Sequence, residues 1–410
     1  MSITRVQQAT RYALYIGPAA ESQCLPAQRG QRERGSSLRQ VESTDVVVVG
    51  RGPAGYAAGL GALRRGLQVT VIGGEDRVPR WGETLPATCL PLLSRLGIAD
   101  ELRNPEHLES HGHLSTWGDA EAHERAGLSN AYGASVVLDR HRFVARLEGA
   151  FRSEGGRVVE MKSNALHRTP EGFQVQLNSC CGNGSLLAKA IVDATGAVAR
   201  VSRRLGGAKR SIWARQVAFG ACYEAPEIVE LPAITLLEAL EHGWLYATPL
   251  PNRRRAAIWW VTDASLIPSV GVPGCAKVAA QVRQSIEVSR WVREERLQDT
   301  PDWCARSASV GGLDHVVGEG WIAVGDAALT LDPLSSSGIS FALLSGLHGG
   351  TAIAAGLTGE AGWQRTYAEM VTQTGKHHLE QRNEFHRMEV RWPGGEFWKR
   401  RFYSMKSRCG

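Results

Sequence analysis

Three stretches of the chain run from unbroken apolar residues into glycine-rich breaks, and they organise everything between them. Asp45-Val46-Val47-Val48-Val49 is a continuous β-branched run, the pattern of a strand buried on both faces of a parallel sheet. The spacing then predicts a small-residue helix from Tyr56 to Arg65, closed by Gly66, and a second strand from Gln68 to Ile72, completing a β-α-β unit. Ile191-Val192-Asp193 reads as another strand, as does Trp321 to Val324, which leads to a small-residue helix reaching about Gly356. Between these lie an amphipathic helix from Arg140 to Glu154 and β-like runs at Gln216 to Tyr223, Trp244 to Thr248 and Ala256 to Thr262. Residues 1–44 show no sustained apolar period and read as a flexible extension.

With 410 residues, 43% of them hydrophobic, and 46 glycines, the chain has enough apolar mass for a large core. That excludes disorder throughout, a collagen and a disulfide-stapled miniprotein. No run approaches the roughly 20 uninterrupted apolar residues of a membrane-spanning helix, and the first residues lack the apolar segment of a secretory signal. A cytoplasmic protein with no membrane partner is the expectation. Eight cysteines occur without a C-x-x-C or C-x-x-H pair, so reduced thiols and no metal site are expected. The net charge of +6 is concentrated at the ends: residues 1–44 carry +3 and residues 375–410 carry +5, leaving −2 for the rest. A body so near neutrality argues against a nucleic-acid partner.

The chemistry sits in the glycine-rich breaks. Gly50, Gly52 and Gly55, with Pro53 and Ala54 between them, give a tight turn, a backbone without Cβ where a diphosphate approaches, and close helix-to-strand packing. The end of the second strand, the usual place of a ribose-binding acid, reads Gly73-Gly74-Glu75, so either Glu75 reaches back or backbone and water stand in. Ala194, Thr195 and Gly196 bring the chain back beside the first nucleotide loop. Asp326, within Gly325-Asp326-Ala327-Ala328, stands at a strand end where it can bind ribityl hydroxyls. Pro333, Ser337, Gly338 and Ile339 form a turn that aims the amides of the next helix N-terminus at the N1/O2 edge of a flavin. This second segment has no use in NAD binding, so the pair selects FAD. Its other reading is an Asp cap and a Ser/Thr turn before a buried helix. One of Arg140 and Arg142 reaches the FAD diphosphate, or both face solvent. His377, His378 and His386 fall on a polar C-terminal helix and read as solvated.

In their order across residues 45–356, GxGxxG, the D-x-T-G-like strand end and the G-D-A-A…P…G turn resemble FAD-dependent monooxygenases of the p-hydroxybenzoate hydroxylase type and the related flavin-dependent halogenases. The resemblance implies an α/β fold with a Rossmann-like FAD-binding domain interrupted by a β-sheet substrate domain and followed by C-terminal helices. The boundaries are 45–210 and 311–356 for the FAD domain, 211–310 for the substrate domain, and 357–410 for a helical, aromatic tail. No second strand-GxGxxG-helix occurs, so the implied reductant is transiently bound NAD(P)H or a separate reductase.

Trp81-Gly82-Glu83-Thr84-Leu85-Pro86 resembles a helix start of the halogenase-like branch, yet residues 87–94 lack the lysine that halogenases carry there. Trp244-Leu245-Tyr246-Ala247-Thr248-Pro249 keeps the first Trp and the Pro of the halogenase W-x-W-x-I-P signature and loses the rest, which disfavours halogenation. Together with Asp332–Ile339 and the tail Arg391-Trp392-Pro393…Phe397-Trp398-Lys399-Arg400-Arg401, Gly82–Pro86 is similar to the flavoprotein monooxygenases of tryptophylquinone biogenesis. That similarity implies oxygenation of a tryptophan side chain in a precursor polypeptide, the partner, through a flavin C4a-hydroperoxide. The protein would then exclude water, hold the indole near the flavin and stabilise flavin charge. Glu83 is the candidate catalytic base, or else an acid favoured at a helix start. Trp213, Trp244, Tyr246, Trp259 and Trp260 line a pocket between sheet and nucleotide domain, or fill the core. Two other functions stay open: a small-molecule indole hydroxylase or halogenase-like enzyme of secondary metabolism, and a non-catalytic flavin-binding maturation chaperone.

Overall fold

The computed structural model describes residues 41–74, 81–126, 131–179, 182–226, 230–267, 272–298 and 300–406. Most of the N-terminal extension, residues 1–40, and Glu75 lie outside them. The valine run lies in β1 (Val41–Val49), which starts earlier than the apolar pattern because Val41–Thr44 already pair with Ser185–Ala188. α1 (Pro53–Leu63) and β2 (Val69–Ile72) complete the β-α-β unit. The chain continues through α2 (Leu90–Leu96), β3 (Gly112–Thr116), β4 (His123–Ala126), α3 (Arg140–Ser153) and β5 (Arg157–Val159). A hairpin of β6 (Lys162–Thr169) and β7 (Gly172–Ser179) precedes β8 (Gly182–Asp193) and α4 (Arg200–Leu205). Then come β9 (Gln216–Glu224), β10 (Ile234–Leu240), β11 (Gly243–Pro249), β12 (Arg255–Asp263), α5 (Gly274–Val282) and β13 (Trp303–Ser307). β14 (Trp321–Ala323), α6 (Gly338–Leu357), α7 (Trp363–Met388) and α8 (Glu396–Lys406) finish it.

Among the described residues, two large sheets dominate. The first has eight strands around a parallel core ordered β14-β8-β1-β2-β5. Val46 and Val48 pack under α1 and α6, while Val47 and Val49 face Phe173 and Val175 of the hairpin, so the run is buried on both sides. α1 and α6 run in the same direction, with Ala54 against Gly346 and Ala58 against Gly350. A Cβ on either glycine would collide with the α1 backbone. Gly346 is eight residues inside α6 and Ala54 one residue inside α1, so the α6 N-terminus projects about 10 Å beyond that of α1, at a rise of about 1.5 Å per residue. α6 is long and apolar enough to cross a membrane by length and composition alone, which the sequence did not lead one to expect, yet 61% of its 18-residue apolar window is buried in this packing.

The second sheet has seven strands, ordered β13-β9-β12-β11-β10-β3-β4. Its extent corrects the 211–310 boundary: β3 pairs in parallel with β10, so residues 112–126 leave the nucleotide part of the chain to widen this sheet. Alternation assigns its faces. Val217, Phe219, Ile258 and Trp260 pack beneath α5, while Ala218, Trp244, Tyr246 and Trp259 turn the other way, toward Leu334 and the tail. Phe397 and Trp398 are fully buried against Trp117 and Trp244. His378 and His386 are buried, against the sequence expectation, because one face of α7 covers the Asp332 loop and another meets Trp117.

Candidate flavin site

Gly50, at φ 128°, sits where a Cβ would strike the Ala194 carbonyl, so the first nucleotide turn and the β8 end are packed together. Gly52 caps α1 without a side chain, the first turn holds no acid, and a Cβ on Gly52 would meet nothing within 4 Å. Pro53, Ala54 and Gly55 form that buried first turn. Bare amides at a helix N-terminus facing open space fit a diphosphate. Asp193 braces the adjoining strand end: Oδ1 accepts from Thr195 N at 3.0 Å and Thr195 Oγ1 at 2.6 Å, and Oδ2 accepts from Ser202 N at 2.8 Å. Gly196 opens the next turn, with free space at its Cβ position.

At the ribose corner the structure adds residues the sequence reading missed. The Arg51 side chain lies over Gly73, and its guanidinium donates to Tyr56 Oη at 3.2 Å, Glu148 Oε2 at 3.0 Å and Glu160 Oε1 at 2.8 Å. Burial raises the Glu148 carboxyl pKa, but hydrogen bonds from Tyr56 and Arg51 outweigh it and hold the group below the usual carboxylate range. Acids therefore stand near the Gly73 strand end, contributed by α3 and the residue after β5. Their signal is spatial, since Glu148 is 97 positions from Arg51.

The second nucleotide segment is held from several sides. Gly325 N donates to Ser345 Oγ at 2.9 Å, Asp326 is exposed, and the Asp326 carbonyl accepts from Arg210 Nη2 at 2.9 Å. Asp332 is buried ahead of Pro333: Oδ1 accepts from Leu334 N at 3.1 Å, Oδ2 from Arg382 Nε at 2.6 Å, and its own N–H donates to His378 Nε2 at 2.7 Å. Burial depresses the His378 pKa, consistent with a neutral ring accepting that bond. Ser337 starts α6 without a side-chain cap, Gly338 has open space at its Cβ position, and Ile339 is buried. The start of α6, like that of α1, carries no side-chain cap, although Ser337 N donates a long bond to Ser335 Oγ at 3.4 Å.

Glu83 Oε2 accepts from Arg140 Nη1 at 2.9 Å, so the structure brings together the candidate base and the arginine considered for the diphosphate. Arg142 pairs instead with Glu106. The loop carrying Glu83 rides on the second sheet: Tyr246 Oη donates to Gly82 O at 2.8 Å and lies 3.0 Å from Thr84 Oγ1, and Trp259 Nε1 donates to Trp81 O at 3.2 Å. Of the five aromatic candidates, Tyr246 and Trp259 meet this loop. Trp244 packs with the tail, Trp260 lies on the far face, and Trp213 is 40% exposed on a separate small sheet. A recess of about 410 Å³ beside the α6 start is bordered by Thr88, Cys89, Arg95, Ser337 and Ser340. Cys89 Sγ lies 3.0 Å from Ser340 Oγ, and burial pushes its thiol pKa up. A second recess, about 540 Å³ and open, is lined by Arg200, Arg203, Arg204, Lys209 and Arg210.

Two uncapped helix N-termini on one parallel sheet, joined to an aromatic-faced second sheet, define a dinucleotide-binding oxidoreductase of the interrupted, flavin type. Residues 44–221 match the family described as pyridine nucleotide-disulphide oxidoreductase. The chain is 26% identical over 372 residues to the putative FAD-dependent oxidoreductase LodB of Marinomonas mediterranea, covering 88% of this chain and 97% of that protein. It is 30% identical over 328 residues to the menaquinone reductase of Mycolicibacterium smegmatis, covering 74% of each. The solved structure of the peptidyl tryptophan dihydroxylase QhpG, essential for tryptophylquinone cofactor biogenesis, superposes with a TM-score of 0.72 at 26% identity, covering 88% of this chain and 78% of that one. Flavin-dependent halogenases are among the matches by sequence and by structure. The chain belongs to the FAD-dependent monooxygenase and halogenase-like superfamily, and FAD is its cofactor.

Proposed function

We propose that the protein hydroxylates a tryptophan side chain of a precursor polypeptide in tryptophylquinone biogenesis, using FAD, dioxygen and NAD(P)H. The similarity to the peptidyl tryptophan dihydroxylase across 88% of the chain carries this reading. Against the halogenase alternative stands the turn after Pro86, which bears Cys89 hydrogen-bonded to Ser340 and no lysine before Leu96.

When bound, FAD would accept the reducing equivalents of NAD(P)H and pass them to dioxygen, activating it. In this reading the α1 amides from Gly52 to Gly55 hold the diphosphate, and Asp326 takes ribityl hydroxyls. The amides at Ser337, Gly338 and Ile339 stabilise negative charge at the N1/O2 edge of the ring, with Asp332, His378 and Arg382 fixing the turn that presents them. Trp81 and Trp259, their ring centroids 6.4 Å apart, orient the indole and help keep water out. Glu83 Oε2, held by Arg140, accepts the proton lost from the ring carbon that has gained oxygen. The recess lined by four arginines and Lys209 suits the diphosphate of NAD(P)H.

The test incubates reduced holoprotein under labelled dioxygen with a tryptophan-bearing precursor polypeptide or with free tryptophan, and weighs the products. Label in the polypeptide alone supports the reading. Label only in the free amino acid, or hydrogen peroxide as the sole product, refutes it.

A further inference from the structure

On the side of the second sheet that faces the Glu83 loop, Arg306 makes no salt bridge to an acid among the described residues. Arg306 of β13 lies opposite Ala218 of β9, and Cys304 opposite Gly220. Its neighbours Trp303 and Ala305 pack toward α5, so alternation turns Arg306 to the face of Ala218, Tyr246 and Trp259. The Arg306 guanidinium lies over the Trp259 ring, 5.8 Å from carbon to centroid. Trp259 lies flat across Gly220, where a Cβ would collide with the indole, and reaches Trp81 on its other side.

The Nε and Nη2 atoms of Arg306 are both buried and have no hydrogen-bond partner among the described residues. These two N–H groups form the lateral edge of the guanidinium, the pair that meets both oxygens of a carboxylate in parallel. Removing them from water without an acceptor is costly, and a buried charge is normally answered by an opposite one. The unmet requirement is for two coplanar oxygens beside flat aromatic walls. A carboxylate on a planar aromatic ligand meets it, whereas a halide ion offers only one acceptor point.

We propose that Arg306 is the carboxylate-binding residue of the substrate site. It takes, side-on, a carboxylate close to the aromatic ring that rests on Trp259 and Trp81. The carboxylate comes either from an acidic side chain flanking the target tryptophan or from a free aromatic acid. The proposal rests on the proposed function only for the aromatic group being oxidised there; the binding claim stands without turnover.

The experiment therefore measures binding to oxidised, FAD-loaded protein by calorimetry. Two matched pairs are compared: indole-3-acetate with 3-methylindole, and a short peptide carrying Trp-Glu with its Trp-Gln counterpart. The acid of at least one pair is expected to bind tenfold or more tighter than its neutral partner. Arg306→Gln should erase that preference and leave the neutral ligands unchanged, and Arg306→Lys should restore only part, because an ammonium lacks the fork. A preference confined to the peptide pair assigns the carboxylate to a polypeptide, and one confined to indole-3-acetate assigns it to a small acid. Flavin content and melting temperature of each variant separate a binding defect from misfolding. No preference in either pair, or a preference that survives in Arg306→Gln, overturns the proposal, whatever the hydroxylation assay shows.

Discussion

Replacing Gly52 and Gly50 by alanine, one at a time, should give opposite signatures although the two glycines stand two residues apart. Gly52 has φ −89° and ψ −179°, extended values any residue adopts, and open space at its Cβ position. Gly52→Ala should leave the apoprotein within about 1 kcal/mol of wild type, the scale of a small change at a helix N-cap. The new methyl instead occupies space a diphosphate needs. Losing one charge-assisted hydrogen bond costs about 2 kcal/mol, or roughly a 30-fold rise in the FAD dissociation constant. Gly50, at φ 128° against the Ala194 carbonyl, behaves differently. Gly50→Ala carries about 1–3 kcal/mol of backbone strain and a clash besides, so the apoprotein itself should melt at lower temperature. Fluorescence titration with FAD and thermal melts of the apoproteins read the two effects separately. Wild-type FAD affinity in Gly52→Ala, or wild-type stability in Gly50→Ala, would refute the assignment of the turn.

Three further outcomes follow from the same geometry. Asp332→Asn removes the acid from a buried pair with Arg382 and should cost about 3–5 kcal/mol in denaturant unfolding, with weaker flavin retention; an unchanged midpoint contradicts the role given to Asp332. Burial lowers the pKa values of His378 and His386 from 6.5, so their contribution to stability is whole above that pH and is lost as pH falls from it toward the lowered folded values, because the unfolded chain takes up protons first. Each contributes a slope of up to about 1.4 kcal/mol per pH unit, and His386→Phe should remove one share; equal slopes between pH 7 and 5 in variant and wild type would contradict this. Glu83→Gln should slow product formation by about 10²–10⁴-fold with FAD affinity unchanged, and a wild-type rate would strip Glu83 of its assigned base role.

The legible parts of this fold are those written in local backbone demands. A strand, a glycine turn and a small-residue helix are contiguous in sequence, so residues 45–72 and 321–357 were placed close to their observed bounds. What escaped depends on distant partners. β3 and β4 join the second sheet through a pairing more than 100 residues away, which no local pattern encodes. The polar periodicity of α7 hid His378 and His386, since one is buried by a backbone amide 46 residues earlier and the other by Trp117. Arg51 with Glu148 and Glu160, and Arg306 over Trp259, are likewise products of the assembled fold. Glu75 lies outside the described residues, so its ribose role stays a proposal.

The central claim is that the α1 and α6 N-termini and the Trp259 face converge on one extended flavin. A crystal structure of the protein soaked with FAD tests it most directly. The account requires the diphosphate at Gly52–Gly55 and the ring's N1/O2 edge at Ser337–Ile339, with Trp259 on the substrate side. Density for the ring at any other place, or crystals that stay colourless after soaking, would contradict it.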